Sequence, residues 1–276
     1  MTRDRQNSDT KRRIAVVAPA RALDPVVARK LSSLAAQIAP TLDIQFDPQC
    51  FAAAGHFAGD DVTRQDALVK AANDPEVDAV WFARGGYGSI RLLRGLKERL
   101  GPAARDKTYL GYSDTGALLA LLYDAKIGRS VHGPMPSDLS RKGGEAAIQR
   151  ALDSLSASIA PPSGDTPELA FNLTTLAAIN GTPFMPDLSG HILHLEDIGE
   201  YHYRLDRAFA QLALSNWFSK LAGVRLGRFS EILENDIDFV DTAEAIARRW
   251  CAEVGVPVLG ASPIGHDTEN GILAFG

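Results

Sequence analysis

The 276-residue chain has only two cysteines, Cys50 and Cys251, and 7% aromatic residues. Two thiols so far apart in sequence build neither a disulfide framework nor a zinc cluster, and they point to a reducing compartment. Basic residues are in deficit: 29 Lys and Arg stand against 34 Asp and Glu, a formal net charge of −5. No basic stripe runs beyond the first 13 residues, which excludes a grip on nucleic-acid phosphates. No apolar run reaches the roughly 18 residues of a membrane span. The leader MTRDRQNSDTKRR has no apolar stretch either, so it is not a secretory signal. At 45% hydrophobic the composition excludes collagen, low complexity and wholesale disorder. The expectation is a soluble cytoplasmic protein with a frayed N-terminus.

What is present is enough for one large domain or two ordinary ones of about 150 residues. Ile14–Ala18 is a short, continuously apolar run ended by Pro19, the pattern of a strand buried on both faces. A helix is predicted from Asp24 to Ile38, a strand over Leu42–Phe46 and a helix over Asp60–Asn73. Ala79–Ala83 is again apolar, followed by the glycine-rich turn Arg84-Gly85-Gly86-Tyr87-Gly88 and a helix through Ile90–Leu100. Tyr109-Leu110-Gly111 leads through Ser113-Asp114 into a helix, Ala117–Tyr123. Strands alternating with helices predict βαβ units: an α/β, doubly wound parallel sheet over residues 1–153. Residues 154–166, rich in Ser, Pro and Gly, are the expected linker. Residues 167–276 read as a second, smaller unit with helices over Leu173–Ile179, Arg204–Leu214 and Thr242–Val254. Its strands are expected over His191–Leu195, Val224–Leu226 and Pro257–Leu259.

The sharpest local feature is Gly111-Tyr112-Ser113-Asp114-Thr115-Gly116, where an apolar strand breaks into a helix. A serine there is pushed out at the carboxyl edge of the sheet, and the amide of Asp114 points at whatever bonds to it. The same letters also read as a helix N-cap, and both readings stay open. The loop at Gly85, Gly86 and Gly88 fits neither the dinucleotide fingerprint nor the phosphate loop. Gly86 is therefore a candidate to bring its amide beside Ser113, while a nucleotide cradle and a plain tight turn remain alternatives. A substrate carboxylate calls for a cation, for which Arg84 is the candidate; its alternative is pairing with a structural acid.

Gly190–Glu196 puts His194 and Glu196 on one strand face, a weak hint of metal ligation with His202. The chain order Ser113, Glu196, His266 matches nucleophile, orienting acid and base as α/β hydrolases arrange them. In that reading His266 removes the Ser113 proton and Glu196 holds the imidazole tautomer.

Taken together, these segments resemble the LD-carboxypeptidases, serine peptidases that include the microcin C self-immunity proteins. The resemblance is carried by Phe57-Ala58-Gly59-Asp60, Arg84–Gly88, Gly111–Asp114, His132–Met135, Asn172-Leu173, Gly181-Thr182-Pro183, Leu195–Glu200, Arg204–Arg207 and Gly265-His266. It implies a flavodoxin-like N-terminal domain and a smaller C-terminal α/β swivelling domain. It implies Ser113 as nucleophile, His266 as base, Glu196 as its partner and the amides of Gly86 and Asp114 as oxyanion hole. The implied substrate is a cytoplasmic muropeptide tetrapeptide, cleaved at an L,D-amide bond to release D-alanine in peptidoglycan recycling. The alternatives are a self-immunity peptidase acting on a peptidyl or aminoacyl nucleotide, and a non-catalytic nucleotide-binding protein. No metal or organic cofactor is implied; a homodimer is. Departures are Ala170-Phe171 where the family has two glycines, and a chain ending at Gly276 where a further strand and hairpin are expected. The latter reads as a truncation or an unusually small C-terminal domain.

Overall fold

The computed structural model describes residues 11–157 and 164–276. The first ten residues of the leader and 158–163 of the expected linker lie outside the described residues. The described chain runs β1 (Arg12–Val17), α1 (Pro25–Ile38), β2 (Leu42–Phe46), α2 (Asp61–Asn73), β3 (Ala79–Phe82), α3 (Leu96–Arg99) and β4 (Thr108–Gly111). It continues through α4 (Gly116–Asp124), β5 (Arg129–His132), α5 (Gly144–Ser156), β6 (Glu168–Asn172), α6 (Leu173–Ile179), β7 (Ile192–Ile198) and α7 (His202–Ala213). It closes with β8 (Gly223–Ser230), α8 (Ala243–Glu253), β9 (Val258–Ala261) and β10 (Leu273–Ala274).

Two sheets result. The first has the order β10-β5-β4-β3-β1-β2, parallel except for β10, and the second the order β6-β7-β8-β9. The strand sequence 2-1-3-4-5 is the flavodoxin-like doubly wound arrangement. Helices cover both faces, as that arrangement requires. Leu31 and Ala35 of α1 pack with Ile148 and Leu152 of α5 on one side. On the other, Leu68 of α2 and Leu118 of α4 pack into a second cluster. The caps are local and legible: Asp24 accepts from Val26 N ahead of Pro25, and Asp60 accepts from Thr63 N.

The apolar cluster under α4 does not stop at the first sheet. It includes Phe171 of β6, Leu193 of β7 and Phe209 of α7. A Cβ at Gly116 would sit 3.6 Å from the Phe171 ring. One core therefore serves both sheets, so Phe171→Ala is expected to remove about 3–5 kcal/mol of stability. That loss would be read as a lower denaturant midpoint at constant slope; an unmoved midpoint would show that the ring contributes no shared packing.

The structure departs from the sequence reading at four places. The helix expected through Ile90–Leu100 is two short turns, Ser89–Leu92 and α3, because Gly95 takes φ +72° between them. Strand β5 (RSVH) carries no apolar pattern because Ser130 and His132 are buried against specific partners, the Leu119 carbonyl and Asn270. Helix α5 runs into the expected linker as far as Ser156. Strand β10 leaves the second unit altogether and pairs antiparallel with β5, Leu273 opposite His132. Residues 167–276, expected as one unit, thus contribute to both sheets. Among the described residues no helix is long and apolar enough to cross a membrane.

Candidate active site

Parallel sheets collect their loops at the carboxyl ends of the strands, and ligands bind where the strand order reverses. Here the reversal lies between β1 and β3. Arg21 follows β1, the glycine loop follows β3, Ser113 follows β4 and Met135 follows β5. All of them line one cavity of about 440 Å³.

Ser113 opens a single tight turn, Ser113–Thr115, with φ +61°. A non-glycine residue in this region carries roughly 1–3 kcal/mol of strain, which surrounding contacts must hold. Those contacts depend on small neighbours. A Cβ at Gly85 would lie 3.1 Å from Ser113 Oγ, and one at Gly111 would lie 2.6 Å from Thr115 Oγ1. No side chain of Ser113, Asp114 or Thr115 caps α4. The Asp114 carboxylate instead accepts from the amides of Ser89 at 2.8 Å and Gly88 at 3.3 Å, tying the glycine loop to the serine turn. The loop is braced from below by the buried guanidinium of Arg64. It donates to the Gly88 carbonyl at 3.0 Å and to that of Pro19, and lies 4.6 Å from the centre of the Phe57 ring. Within the Phe57–Asp60 segment, Phe57 thus lies against this brace while Asp60 caps α2.

Glu196 lies in β7, fully buried. The register between β7 and β8 shifts between Leu195 and Asp197, so the irregularity falls at this residue. Gly227 on β8 makes the room, since a Cβ there would come within 2.9 Å of Glu196 Cβ. His266 follows β9 on a loop held from both sheets. The Ile264 carbonyl accepts from Arg228 N on β8, and Gly265 N donates to the side chain of Asn270, which also bonds His132 on β5. Burial drives the His132 imidazole down to about 3, so it is neutral and donates its Nε2 proton to Asn270 Oδ1.

The result is a continuous chain. Ser113 Oγ donates to His266 Nε2 at 2.8 Å, and His266 Nδ1 donates to Glu196 Oε2 at 2.5 Å. Burial, the largest single influence, opposes protonation of His266, but the Glu196 charge, its hydrogen bond to Nδ1 and the Asp197 charge together hold the imidazole pKa above its ordinary value. Burial likewise raises the Glu196 carboxyl, against the pull of His266. As a coupled pair they hold their shared proton more tightly than either group would alone. The ring of Tyr112 packs 4.9 Å from that of His266, and its hydroxyl donates to the buried Asp138 at 2.8 Å, which fixes the platform under the imidazole.

Of the residues singled out in the sequence, Ser113, His266, Gly86 and Arg84 line the cavity, with Glu196 directly behind His266. His194 is turned to Ser262 and Glu168, and His202 stacks on Phe239, so neither joins Glu196. Among the described residues no group of three or more His, Cys, Asp and Glu is arranged to hold a metal ion. Sequence reasoning gave no role to Tyr112, Asn270 or Arg21. The first two are buried polar residues whose partners are 26 and 138 positions away, a relation no local pattern encodes.

Residues 14–133 match the LD-carboxypeptidase N-terminal domain and residues 169–276 match the LD-carboxypeptidase C-terminal domain. The chain belongs to the LD-carboxypeptidase family. A murein tetrapeptide carboxypeptidase of Pseudomonas aeruginosa is 29% identical, with 96% of this chain and 91% of that protein aligned. A Synechocystis sp. protein provisionally named a carboxypeptidase is 36% identical over 80% of this chain and 75% of its own length. Among solved structures, muramoyltetrapeptide carboxypeptidase from Oxalobacter formigenes superposes with a TM-score of 0.79 at 28% identity, covering 95% of this chain and 93% of that one. The microcin C7 self-immunity protein MccF has the same fold, with a TM-score of 0.80 at 18% identity over 97% of this chain and 92% of its own. Family membership makes this protein a peptidase of the carboxypeptidase type acting on small peptides.

Proposed function

We propose that this LD-carboxypeptidase is a serine enzyme that cleaves the L,D-amide bond of cytoplasmic muropeptide tetrapeptides and releases D-alanine. The observation that carries the reading is the hydrogen-bonded chain from Ser113 through His266 to Glu196, whose two bonds join residues 153 and 70 positions apart. Ser113 Oγ attacks the scissile carbonyl as His266 Nε2 takes its proton, forming the Oγ–C bond. The amides of Gly86 and Asp114 receive the developing oxyanion, in a loop and turn tied together by the Asp114 carboxylate. The C–N bond then breaks, His266 passes the proton to the leaving amine, and water hydrolyses the acyl-serine ester by the same route in reverse. Glu196 stabilises the imidazolium throughout and keeps Nδ1 protonated. The murein and muramoyl tetrapeptide names of relatives at 28–29% identity support the substrate class.

The test is incubation with muropeptide tetrapeptide and mass detection of the products, beside an aminoacyl sulfamoyl nucleotide. Release of D-alanine from the tetrapeptide is the expected result. Turnover of the nucleotide alone would move the substrate to the other branch, and turnover of neither would overturn the reading.

A further inference from the structure

An exopeptidase must distinguish a chain end from a chain interior, so some group in the cavity has to read a free carboxylate. The cavity holds three arginines, Arg21, Arg84 and Arg141, with Asp24 and Asp138. Arg141 already pairs with Asp138 at 3.3 Å. Arg21 and Arg84 form no ion pair among the described residues. They lie close enough for each to feel the other's charge, and burial followed by that repulsion depresses the Arg84 pKa. The Asp24 charge offsets part of this at Arg84, while its carboxylate accepts from the Val26 amide at 2.7 Å as the cap of α1. Among the described residues the Arg84 guanidinium makes one hydrogen bond, a long one of 3.4 Å to the Ala22 carbonyl.

Their placement is as telling as their charge. They leave the ends of β1 and β3, the two strands flanking the reversal of strand order. The stem of Arg21 lies directly on Gly86: a Cβ there would run into Arg21 Cδ and come within 2.8 Å of its Cγ. Gly85, the next residue back, abuts Ser113 Oγ. Cation, glycine loop and serine thus stand in successive contact. The scissile carbonyl of a carboxypeptidase substrate and its terminal carboxylate are one residue apart, about 3.5 Å of chain.

We infer that Arg21 and Arg84 form a clamp for the substrate's C-terminal carboxylate, and so set the requirement for a free chain end. The inference rests on the peptidase reading above and extends it to a pair, one member of which carries no signal in the sequence. Two like charges held together in a half-buried cavity repel each other until an anion bridges them. A carboxylate is the anion whose geometry a guanidinium fork matches, and each such charge-assisted bond is strong.

The test compares a tetrapeptide ending in D-alanine with the same peptide ending in D-alaninamide. Binding is titrated to the Ser113→Ala protein, and turnover is measured with the intact enzyme. The free acid is expected to bind about 10- to 100-fold more tightly than the amide, the scale of one or two charge-assisted hydrogen bonds. In Arg21→Gln and Arg84→Gln backgrounds that ratio is expected to fall towards one, and in Arg84→Lys to recover in part. Thermal melts of each variant identify any that fail to fold, and the lysine variant then carries the comparison. Equal affinity for acid and amide in the parent protein, or a preference that survives in both glutamine variants, overturns the clamp. A binding preference without D-alanine release from the intact enzyme would keep the clamp and reject the peptidase reading.

Discussion

Ser113→Ala is expected to lower kcat/KM on a muropeptide tetrapeptide by about 10⁴-fold or more, with circular dichroism and melting temperature close to those of the parent. The size follows from what the alanine removes: the oxygen hydrogen-bonded to His266 Nε2, and with it the covalent route. The fold has little reason to change, because Ser113 caps no helix and the turn is held by Asp114, Gly85 and Gly111. His266→Ala is expected to cost about as much, since the two side chains act as one unit and their losses do not add. A Ser113→Ala enzyme retaining more than about a hundredth of the parent rate would mean that the nucleophile lies elsewhere.

Glu196→Gln is expected to lower the rate by about 10²–10⁴-fold and to move its pH dependence. The sign follows from the pair. His266 works as a base only when neutral, so the rate falls as pH drops through the imidazole pKa. In the parent protein burial lowers that pKa, but the Glu196 charge and hydrogen bond with the Asp197 charge together raise it above the ordinary 6.5 or so. The acid limb of kcat/KM is therefore expected above the usual histidine range. With glutamine the Glu196 charge is gone and burial, the largest influence, is opposed by the weaker Asp197 charge, so the imidazole pKa falls and the acid limb moves to lower pH. The kcat/KM profiles of parent and variant between pH 5 and 9 decide the matter. Superimposable acid limbs would show that Glu196 does not set the charge state of the base.

Much of the scaffold was legible in the chain itself. Continuous apolar runs at Ile14–Ala18 and Ala79–Ala83, with amphipathic stretches between them, encode a doubly wound sheet because burial on both faces leaves no other pattern. The strand-to-turn letters around Ser113 and the order of Ser113, Glu196 and His266 marked the groups that the structure brings into contact. Other parts were illegible for one physical reason. Strand β5 is held by buried polar groups, Ser130 and His132, whose partners lie elsewhere in the chain, and β10 is too short to show a period. The bulge beside Glu196 and the bracing of the glycine loop by Arg64 are likewise made by residues distant in sequence.

The division between the two sources runs along the range of the forces. The sequence alone determined what depends on local periodicity and turn chemistry: an α/β chain with a serine, a glycine cluster and a histidine on strand-end loops and a carboxylate in a strand. Only the tertiary structure decided their convergence, the positive φ of Ser113, the return of β10 to the first sheet and the seating of Arg21 on Gly86. Each of these is stabilised by contacts between residues far apart in sequence, and neither a period of 2.0 nor one of 3.6 carries information over such distances.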